Sequence, residues 1–168
     1  MNTSALVQSA HSRKAAGDAF LRFELYPQTS AVFPMRHVQE AMVLPARRLT
    51  PMPNMPACML GLMNRRSRVI WVVDLARMLG LAALDTNVQQ YNLVITQVGA
   101  VTLGLAVQCV EGITWIEPNQ IQSPIGQIIP SLVPYLRGCA IQSQDQTKTL
   151  LMVLDAEAVV QSSILRNP

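Results

Sequence analysis

The sequence predicts a mostly β protein made of two small five-stranded barrels, with a short helix after each. The first reason is an internal repeat. Residues 61–75 and residues 138–156 each contain an apolar segment, a polar turn and a second apolar segment that ends in aspartate. The second reason is that short apolar segments alternate with turn residues along the chain, as is typical of strands. The third is that 50% of the 168 residues are hydrophobic, which suffices for a sizeable core.

The first half of the chain supplies five segments that favour strands. Residues 19–26 alternate apolar and polar side chains, which predicts a half-buried strand. Four prolines between Pro45 and Pro56 exclude regular structure there and predict an extended loop. Asp74 is expected to cap a short helix that Gly80 ends. The expected strands cover residues 19–26, 31–33, 41–44, 60–64 and 69–74.

The second half repeats this order. A loop rich in proline and glutamine is expected over residues 118–134, and Asp155 is expected to cap a final helix over residues 156–165. The offset between the copies grows from 72 near Cys109 to 81 at Asp155, which is consistent with small loop insertions. The expected strands cover residues 93–98, 101–107, 110–116, 136–142 and 149–154.

These elements predict one compact domain behind a polar tail. The strands of each copy are expected to close on themselves, because closure removes exposed sheet edges. The predicted organisation is a disordered N-terminal tail over residues 1–18 and a domain over residues 19–165, divided into barrel 1 at about 19–80, a linker at 81–90, barrel 2 at about 91–155 and the C-terminal helix at 156–165.

Charge is distributed unevenly. The net charge of +3 combines +6 over residues 1–80 with −3 over residues 81–168. A basic half suits a nucleic acid, an acidic lipid face or an acidic protein surface. No aromatic residues are interleaved with the arginines, which makes the nucleic-acid pattern weak, and we favour an acidic protein surface. The N-terminus lacks the apolar centre of a signal peptide, and the apolar runs are too short for a membrane span. We therefore expect a cytoplasmic protein without direct membrane insertion.

Residue patterns for catalysis and metal binding are weak. The three cysteines, Cys58, Cys109 and Cys139, are spaced 51 and 30 residues apart, which fits no metal or redox motif, and their apolar neighbours predict burial. His11 and His37 have no partner at ligand spacing. We therefore predict no metal, no cofactor and no catalytic residue, and a binding function rather than an enzyme.

Three segments carry a family resemblance. Residues 20–25, the His-Val-Gln-Glu run at 37–40 and the Gly-Leu-Met-Asn-Arg-Arg-Ser-Arg-Val-Ile-Trp-Val-Val-Asp-Leu run at 61–75 together resemble the CheW family of chemotaxis coupling proteins. That family combines Val-Gln-Glu with Gly-x-x-Asn-x-Arg-Gly-x-[Val/Ile]-[Val/Ile]-Pro-[Val/Ile]-[Val/Ile]-Asp-Leu. Residues 104–110 are similar to its Gly-x-x-Val-Asp-x-Val. The resemblance covers about residues 19–165.

Three positions depart from the family pattern. Ser67 replaces the turn glycine, Trp71 replaces the proline, and Gln108 replaces the aspartate. If the turn requires positive φ, serine there costs roughly 1 kcal/mol. The departures indicate a diverged member of a chemotaxis, pilus-motility or phototaxis pathway.

The resemblance implies two SH3-like β-barrels related by pseudo-symmetry and no catalytic activity. It implies a cytoplasmic adaptor at membrane-associated receptor arrays, which joins the cytoplasmic tip of a methyl-accepting chemoreceptor to a CheA-type histidine kinase. The receptor tip, a helical hairpin, would lie in a groove between the barrels. The kinase would bind through its CheW-like regulatory domain.

Carried over by position, the resemblance also implies receptor-binding residues. Our hypothesis is that Arg66 and Glu40 form an ion pair that orients the receptor helix. The alternatives are that Arg66 is a solvated turn residue and that Val110 and Ile113 are core residues. The implied receptor-binding residues are Val38, Glu40, Asn64, Arg66, Val110 and Ile113.

A second class of function is a β-barrel module that binds an acidic ligand such as RNA. Only the charge of +6 in the first half supports it. Binding to nucleic acid would weaken steeply with salt, whereas an adaptor interface with an apolar centre would change less.

Overall fold

The fold is that of two five-stranded sheets with two short α-helices, as the sequence predicts. The computed structural model describes residues 17–123, 126 and 128–166. Its strands are β1 (Asp18–Tyr26), β2 (Thr29–Pro34), β3 (Val38–Pro45), β4 (Met59–Arg65), β5 (Arg68–Asp74), β6 (Gln90–Val98), β7 (Val101–Val107), β8 (Cys109–Ile116), β9 (Leu136–Gln144) and β10 (Thr147–Leu154). The helices are α1 (Leu75–Met78) and α2 (Ala156–Val160), and five 3-10 segments cover Met35–His37, Ala46–Arg48, Pro118–Gln120, Pro130–Tyr135 and Ser163–Leu165.

The internal repeat determines where each strand lies. Sheet I has the order β3-β6-β7-β5-β4, and sheet II has the order β8-β1-β2-β10-β9. Strands five apart in chain order therefore take the same place in the two sheets: β3 matches β8, β4 matches β9 and β5 matches β10. The pseudo-symmetry of the predicted fold follows from this correspondence.

The predicted assignment of strands to barrels at 19–80 and 91–155 differs from the observed sheets. The first two strands of each repeat lie in the sheet of the other repeat: β1 and β2 join β8–β10, and β6 and β7 join β3–β5. The exchange depends on two parallel pairings, β5 with β7 and β10 with β2. Parallel neighbours need a long crossover, which α1 and residues 79–89 supply between β5 and the β6–β7 hairpin. The strands of the two copies have similar hydrophobic patterns. Hydrophobic periodicity alone therefore does not distinguish sheets built within one copy from sheets that exchange their first two strands.

The exchange gives the two sheets a common core. One hydrophobic cluster contains Phe23 and Phe33 of sheet II together with Val73 and Leu105 of sheet I, all of them fully buried. Full burial of one such side chain stabilises the fold by roughly 1.5–3 kcal/mol. The two sheets therefore fold and pack as one unit, and each retains a smaller apolar cluster of its own.

Both predicted helix caps are confirmed. Asp74 accepts a hydrogen bond from the backbone N–H of Arg77 at 3.2 Å, and Asp155 accepts from Glu157 and Ala158 at 3.0 and 3.1 Å. The predicted final helix over residues 156–165 is shorter than expected. It ends at Val160, and the 3-10 segment Ser163–Leu165 follows Ser162, whose hydroxyl accepts from the N–H of Ile164 at 3.3 Å. A serine side chain that bonds to nearby backbone competes with helix continuation.

Two further predictions concern the termini and the membrane. Residues 1–16 of the predicted tail lie outside the described residues, and β1 already begins at Asp18, the last residue assigned to that tail. Among the described residues, no helix has both the length and the apolar character that crossing a bilayer requires.

Candidate partner-binding site

The turn between β4 and β5 has a tight and unusual backbone. Arg65 and Arg68 form the last pair of the β4–β5 ladder, so Arg66 and Ser67 alone make the turn. Their φ angles are +50° and +64°. Positive φ at both central residues is the geometry of a type I′ hairpin turn, which favours glycine or asparagine. Ser67 therefore occupies a position with positive φ, where glycine, the family residue, is conformationally favoured.

Arg65 holds Glu40 in a close ion pair. The Nε and Nη2 atoms of Arg65 donate to Oε2 of Glu40 at 2.9 and 2.6 Å. Its Nη1 donates to Oε1 of Gln39 at 3.2 Å. The Arg65 side chain is only 13% exposed. Short charge-assisted hydrogen bonds of this kind are about twice as strong as neutral ones.

Strand alternation explains why these two side chains meet. In β4 the inward positions are Gly61, Met63 and Arg65, and in β3 Glu40 lies on the same face as the buried Leu44. A charged side chain that faces the interior requires a partner of opposite charge. The ion pair with Glu40 therefore compensates the partial burial of Arg65, and Arg65 does the same for Glu40.

The ion pair also joins two strands that are not neighbours in the sheet. β3 and β4 are the opposite edges of sheet I, so contact between Glu40 and Arg65 curls the sheet towards closure. A bulge at Gln39 interrupts the β3–β6 register next to Glu40. The side-chain amide of Gln39 donates to that of Gln97 on β6. We call the group Gln39, Glu40 and Arg65 the edge joint of sheet I.

Arg66 forms the ion pair with Glu40 that our hypothesis predicts, but as a long contact. Its Nη2 lies 3.9 Å from Oε2 of Glu40, beyond hydrogen-bond distance, and its side chain is 77% exposed. Arg65, which the sequence interpretation did not include, is the close partner of Glu40. Counting alternate residues back from Arg65 to the buried Met63 would have identified it as inward-facing.

The remaining predicted residues fall into two groups. Val38 begins β3 and packs against the shared core, whereas Asn64 is exposed opposite Val69. Val110 and Ile113 lie on β8, an edge strand of sheet II; Val110 packs against the core and Ile113 is 52% exposed. The structure thus brings Glu40, Arg65 and Arg66 together around one turn, and it places the β8 residues on the other sheet.

Sheet II has a matching edge joint built from other chemistry. Its edge strands are β8 and β9, and Gln142 of β9 donates to Oγ1 of Thr114 of β8 at 2.7 Å. Arg22 of β1 donates to Oε1 of Gln142 at 3.0 Å and forms an ion pair with Glu111. A bulge at Glu111 interrupts the β1–β8 register, as the one at Gln39 does in sheet I. Contact between edge strands and an arginine–glutamate pair are thus common to both sheets, but only in sheet I does the arginine lie on an edge strand.

The groups with possible metal or redox chemistry are few among the described residues. Glu24, Cys109 and Glu111 place their ligand atoms within 4.8 Å of one another. Burial, and then the negative charges of Glu111 and Glu24, raise the pKa of the Cys109 thiol. The thiol is therefore protonated at neutral pH and is a poor nucleophile. Cys58 and Cys139 are buried, as predicted, whereas Cys109 is only partly buried.

The interlocked sheets and the charged joint beside an exposed turn define a two-barrel β domain with the surface of a binding protein. The CheW-like domain family model matches residues 19–163. The chain therefore belongs to the CheW-like domain family, which comprises scaffolding or adaptor proteins of chemotaxis.

Individual relatives agree with this assignment. The chain is 36% identical over 73 residues to the chemotaxis protein CheW of Rhizobium meliloti (strain 1021) and, at the same identity and length, to the probable chemotaxis protein CheW of Rhizobium etli. Each match includes 44% of this chain and 46% of the relative, so the chain spans about half the length of the curated relatives it matches. The crystal structure of the scaffolding protein TtCheW from Thermoanaerobacter tengcongensis is similar with a TM-score of 0.68 at 19% identity, covering 83% of this chain and 89% of that one. At this identity the likeness concerns the fold.

Proposed function

We propose that this chain is a non-catalytic adaptor that couples the cytoplasmic tip of a membrane chemoreceptor to a CheA-type histidine kinase, in chemotaxis, pilus motility or phototaxis. It would act in the cytoplasm, at membrane-associated receptor arrays. The observation that carries the proposal is the arrangement around the β4–β5 turn. There the family motif positions Glu40 and Arg66 come within 3.9 Å of each other, and Arg66 is exposed for contact with a partner.

The receptor-facing surface in this proposal comprises Val38, Glu40, Asn64, Arg66, Val110 and Ile113. Arg66 supplies an exposed cation on sheet I, and Ile113 supplies an exposed apolar group on sheet II. An amphipathic helix presents both kinds of complementary group. Val38 and Val110 pack against the core and support this surface from beneath. The kinase's regulatory domain would bind elsewhere on the two sheets.

A reconstitution with purified components tests the proposal. A receptor cytoplasmic fragment is attached to vesicles, and sedimentation of the kinase is measured with and without this protein. We expect the wild-type chain to bring the kinase to the vesicles and Arg66→Glu to reduce that recruitment, because the variant reverses the exposed charge. Lys148→Glu is the matched control, since Lys148 lies beside the equivalent turn of sheet II.

Circular dichroism and thermal unfolding verify that both variants fold. Equal recruitment by wild type and a folded Arg66→Glu variant would remove Arg66 from the receptor surface. A wild-type chain that recruits no kinase at all, and that recovers nucleic acid from cell extract instead, would contradict the adaptor function and favour the RNA-binding alternative.

A further inference from the structure

Two arginines compete for one carboxylate at the β4–β5 turn. Arg65 approaches Oε2 of Glu40 with two nitrogen atoms, at 2.6 and 2.9 Å, whereas the Nη2 atom of Arg66 lies 3.9 Å away. Only the Arg65 contacts fall within hydrogen-bond distance. Glu40 is therefore committed to Arg65, and the guanidinium of Arg66 keeps most of its hydration.

The surroundings of the turn are positively charged. Arg65, Arg66 and Arg68 line one shallow cleft of about 200 Å³ together with Gln39, Ile70 and Thr102. Glu40 neutralises one of these three cations, and it is the one acidic group that contacts them within the described part of the chain. The cleft therefore presents a net charge of about two positive units to an approaching partner.

The two sheets differ in which strand carries the arginine of the joint. In the matching joint of sheet II the edge strands meet through the Gln142 amide and the Thr114 hydroxyl at 2.7 Å, and Arg22 of β1, which is paired with Glu111, donates to Gln142. Gln142 takes the place in β9 that Arg65 takes in β4, at the repeat offset of 77 that also relates Gly61 to Gly138. A neutral side chain thus takes the place of Arg65 in β9, and an arginine on the edge strand itself is specific to the joint that contains Glu40.

We propose that Arg65 is a positioning residue that occupies Glu40 and so leaves Arg66 available to bind a carboxylate on the receptor helix. The inference rests on the proposed adaptor function and adds the chemistry of the partner, an aspartate or glutamate at the point of contact. Without Arg65, Glu40 would pair with Arg66 and mask the recognition charge.

Binding of a purified chemoreceptor tip fragment to four forms of the full chain tests this inference: wild type, Arg66→Gln, Arg65→Gln and the double variant Arg65→Gln with Glu40→Gln. Loss of one exposed pair corresponds to about a fivefold weakening, so we expect that reduction for Arg66→Gln. Arg65→Gln should weaken binding by a similar factor although Arg66 is intact. Adding Glu40→Gln should then raise the affinity above that of Arg65→Gln alone, because Arg66 is freed again, although the loss of Glu40 from the receptor-facing surface keeps it below that of wild type.

The restoration separates positioning from simple structural support. A purely structural loss at Arg65 would not be repaired by removing its partner as well. Acidic residues of the receptor fragment are then replaced singly by the corresponding amides. One such replacement should weaken binding to wild type but have no effect on binding to Arg66→Gln. A double-mutant cycle gives this result when the two residues are in contact.

The outcomes distinguish the inference from the function on which it rests. If wild type binds the fragment and Arg66→Gln binds it equally well, the inference is overturned and the adaptor function stands. Failure of Glu40→Gln to raise the affinity of the Arg65→Gln variant, with both forms folded by circular dichroism, also overturns it. If wild type does not bind the fragment, the proposed function fails, and the inference with it.

Discussion

Gly61 and Gly138 occupy matching positions in the two sheets, and each admits a second backbone segment at close range. Beside Gly61, Leu62 exchanges two backbone hydrogen bonds with Thr50, at 2.8 and 2.9 Å. Beside Gly138, Cys139 exchanges two with Gln122, both at 2.8 Å. The φ angles of the two glycines are +148° and +157°. Both copies of the repeat therefore share a point at which a loop crosses close to a strand.

Substitution of either glycine by alanine should destabilise the fold. A Cβ at position 61 would lie 2.8 Å from the carbonyl carbon of Thr50, and one at position 138 would lie 2.9 Å from the Cγ2 atom of Ile121. Overpacking costs about 1–3 kcal/mol and the unfavourable φ roughly 1 kcal/mol more, so we expect a loss of about 2–4 kcal/mol in the free energy of unfolding. Urea denaturation of Gly61→Ala and Gly138→Ala measures it.

Gly99→Ala is the control for that experiment. Its φ of +58° is also positive, but no atom lies within 4 Å of the Cβ position. We expect it to lose only about 1 kcal/mol. Equal losses at positions 61 and 99 would mean that backbone conformation, and not the close approach of Thr50, determines the requirement for glycine.

The two capping aspartates should differ in importance although the repeat relates them. Asp74 is 1% exposed and accepts from the backbone N–H groups of Arg77 and, at 2.8 Å, Leu84, so it ties the connector after α1 to the core. Asp155 is more exposed and caps α2 alone, with Arg137 at 3.8 Å. Asp155→Ala should cost about 1 kcal/mol, the value of an N-cap, and Asp74→Ala about 2–4 kcal/mol, because the buried Asp74 carboxylate also accepts from Leu84 and so holds the connector as well as the helix.

Chemical denaturation of the two alanine variants tests this difference. Asp74→Asn is the matched control, since the amide oxygen retains one acceptor while the charge is lost. A loss at position 155 that equals the loss at position 74 would contradict the role assigned to the Leu84 contact.

Local patterns determined which features could be predicted from the sequence. The strands, the two aspartate caps and the turn at Ser67 depend on neighbouring residues, and the structure confirms them. The exchange of the first two strands depends on the parallel pairings of β5 with β7 and of β10 with β2, which join segments about 30 and 120 residues apart. The family motif includes Arg66 and not Arg65, so it did not predict that Arg65 is the close partner of Glu40. Strand alternation alone would have placed Arg65 towards the interior.

The turn at Ser67 should gain stability from glycine. Ser67 has φ +64° and is exposed, so the substitution removes no buried contact. A residue with a Cβ pays roughly 1–2 kcal/mol in this region, and the greater entropy of glycine in the unfolded chain offsets part of the gain. We expect Ser67→Gly to raise the free energy of unfolding by about 0.5–1 kcal/mol.

The equivalent turn of sheet II supplies the comparison for Ser67→Gly. Gln146 has φ +66° in the hairpin between β9 and β10, and Gln146→Gly should stabilise the chain by a similar amount. Thermal unfolding of both variants at one protein concentration provides the measurement. A lower melting temperature for either variant would show that the serine or glutamine side chain stabilises the fold by more than its backbone strain destabilises it.

Stability should fall at alkaline pH because three thiols resist ionisation in the folded chain. Burial raises the pKa of Cys58, Cys109 and Cys139 above the ordinary thiol value of 9.0, and the charges of Glu111 and Glu24 add to the effect at Cys109. Above pH 9.0 the unfolded chain therefore binds fewer protons than the folded chain. The stability contribution of each thiol is fully present below pH 9.0 and is lost as pH rises through its folded pKa, with a limiting slope of about 1.4 kcal/mol per pH unit.

Urea denaturation with a reductant present, at pH 7.5 and at several values above 9, measures the free energy of unfolding. The matched variant carries Cys58→Ala, Cys109→Ala and Cys139→Ala. It loses some stability at every pH through packing, but its decline above pH 9 should be shallower than that of wild type. Tyr91, whose pKa burial also raises, is present in both proteins and so cancels in the comparison. Parallel pH profiles for the two proteins would show that the thiols do not cause the alkaline loss.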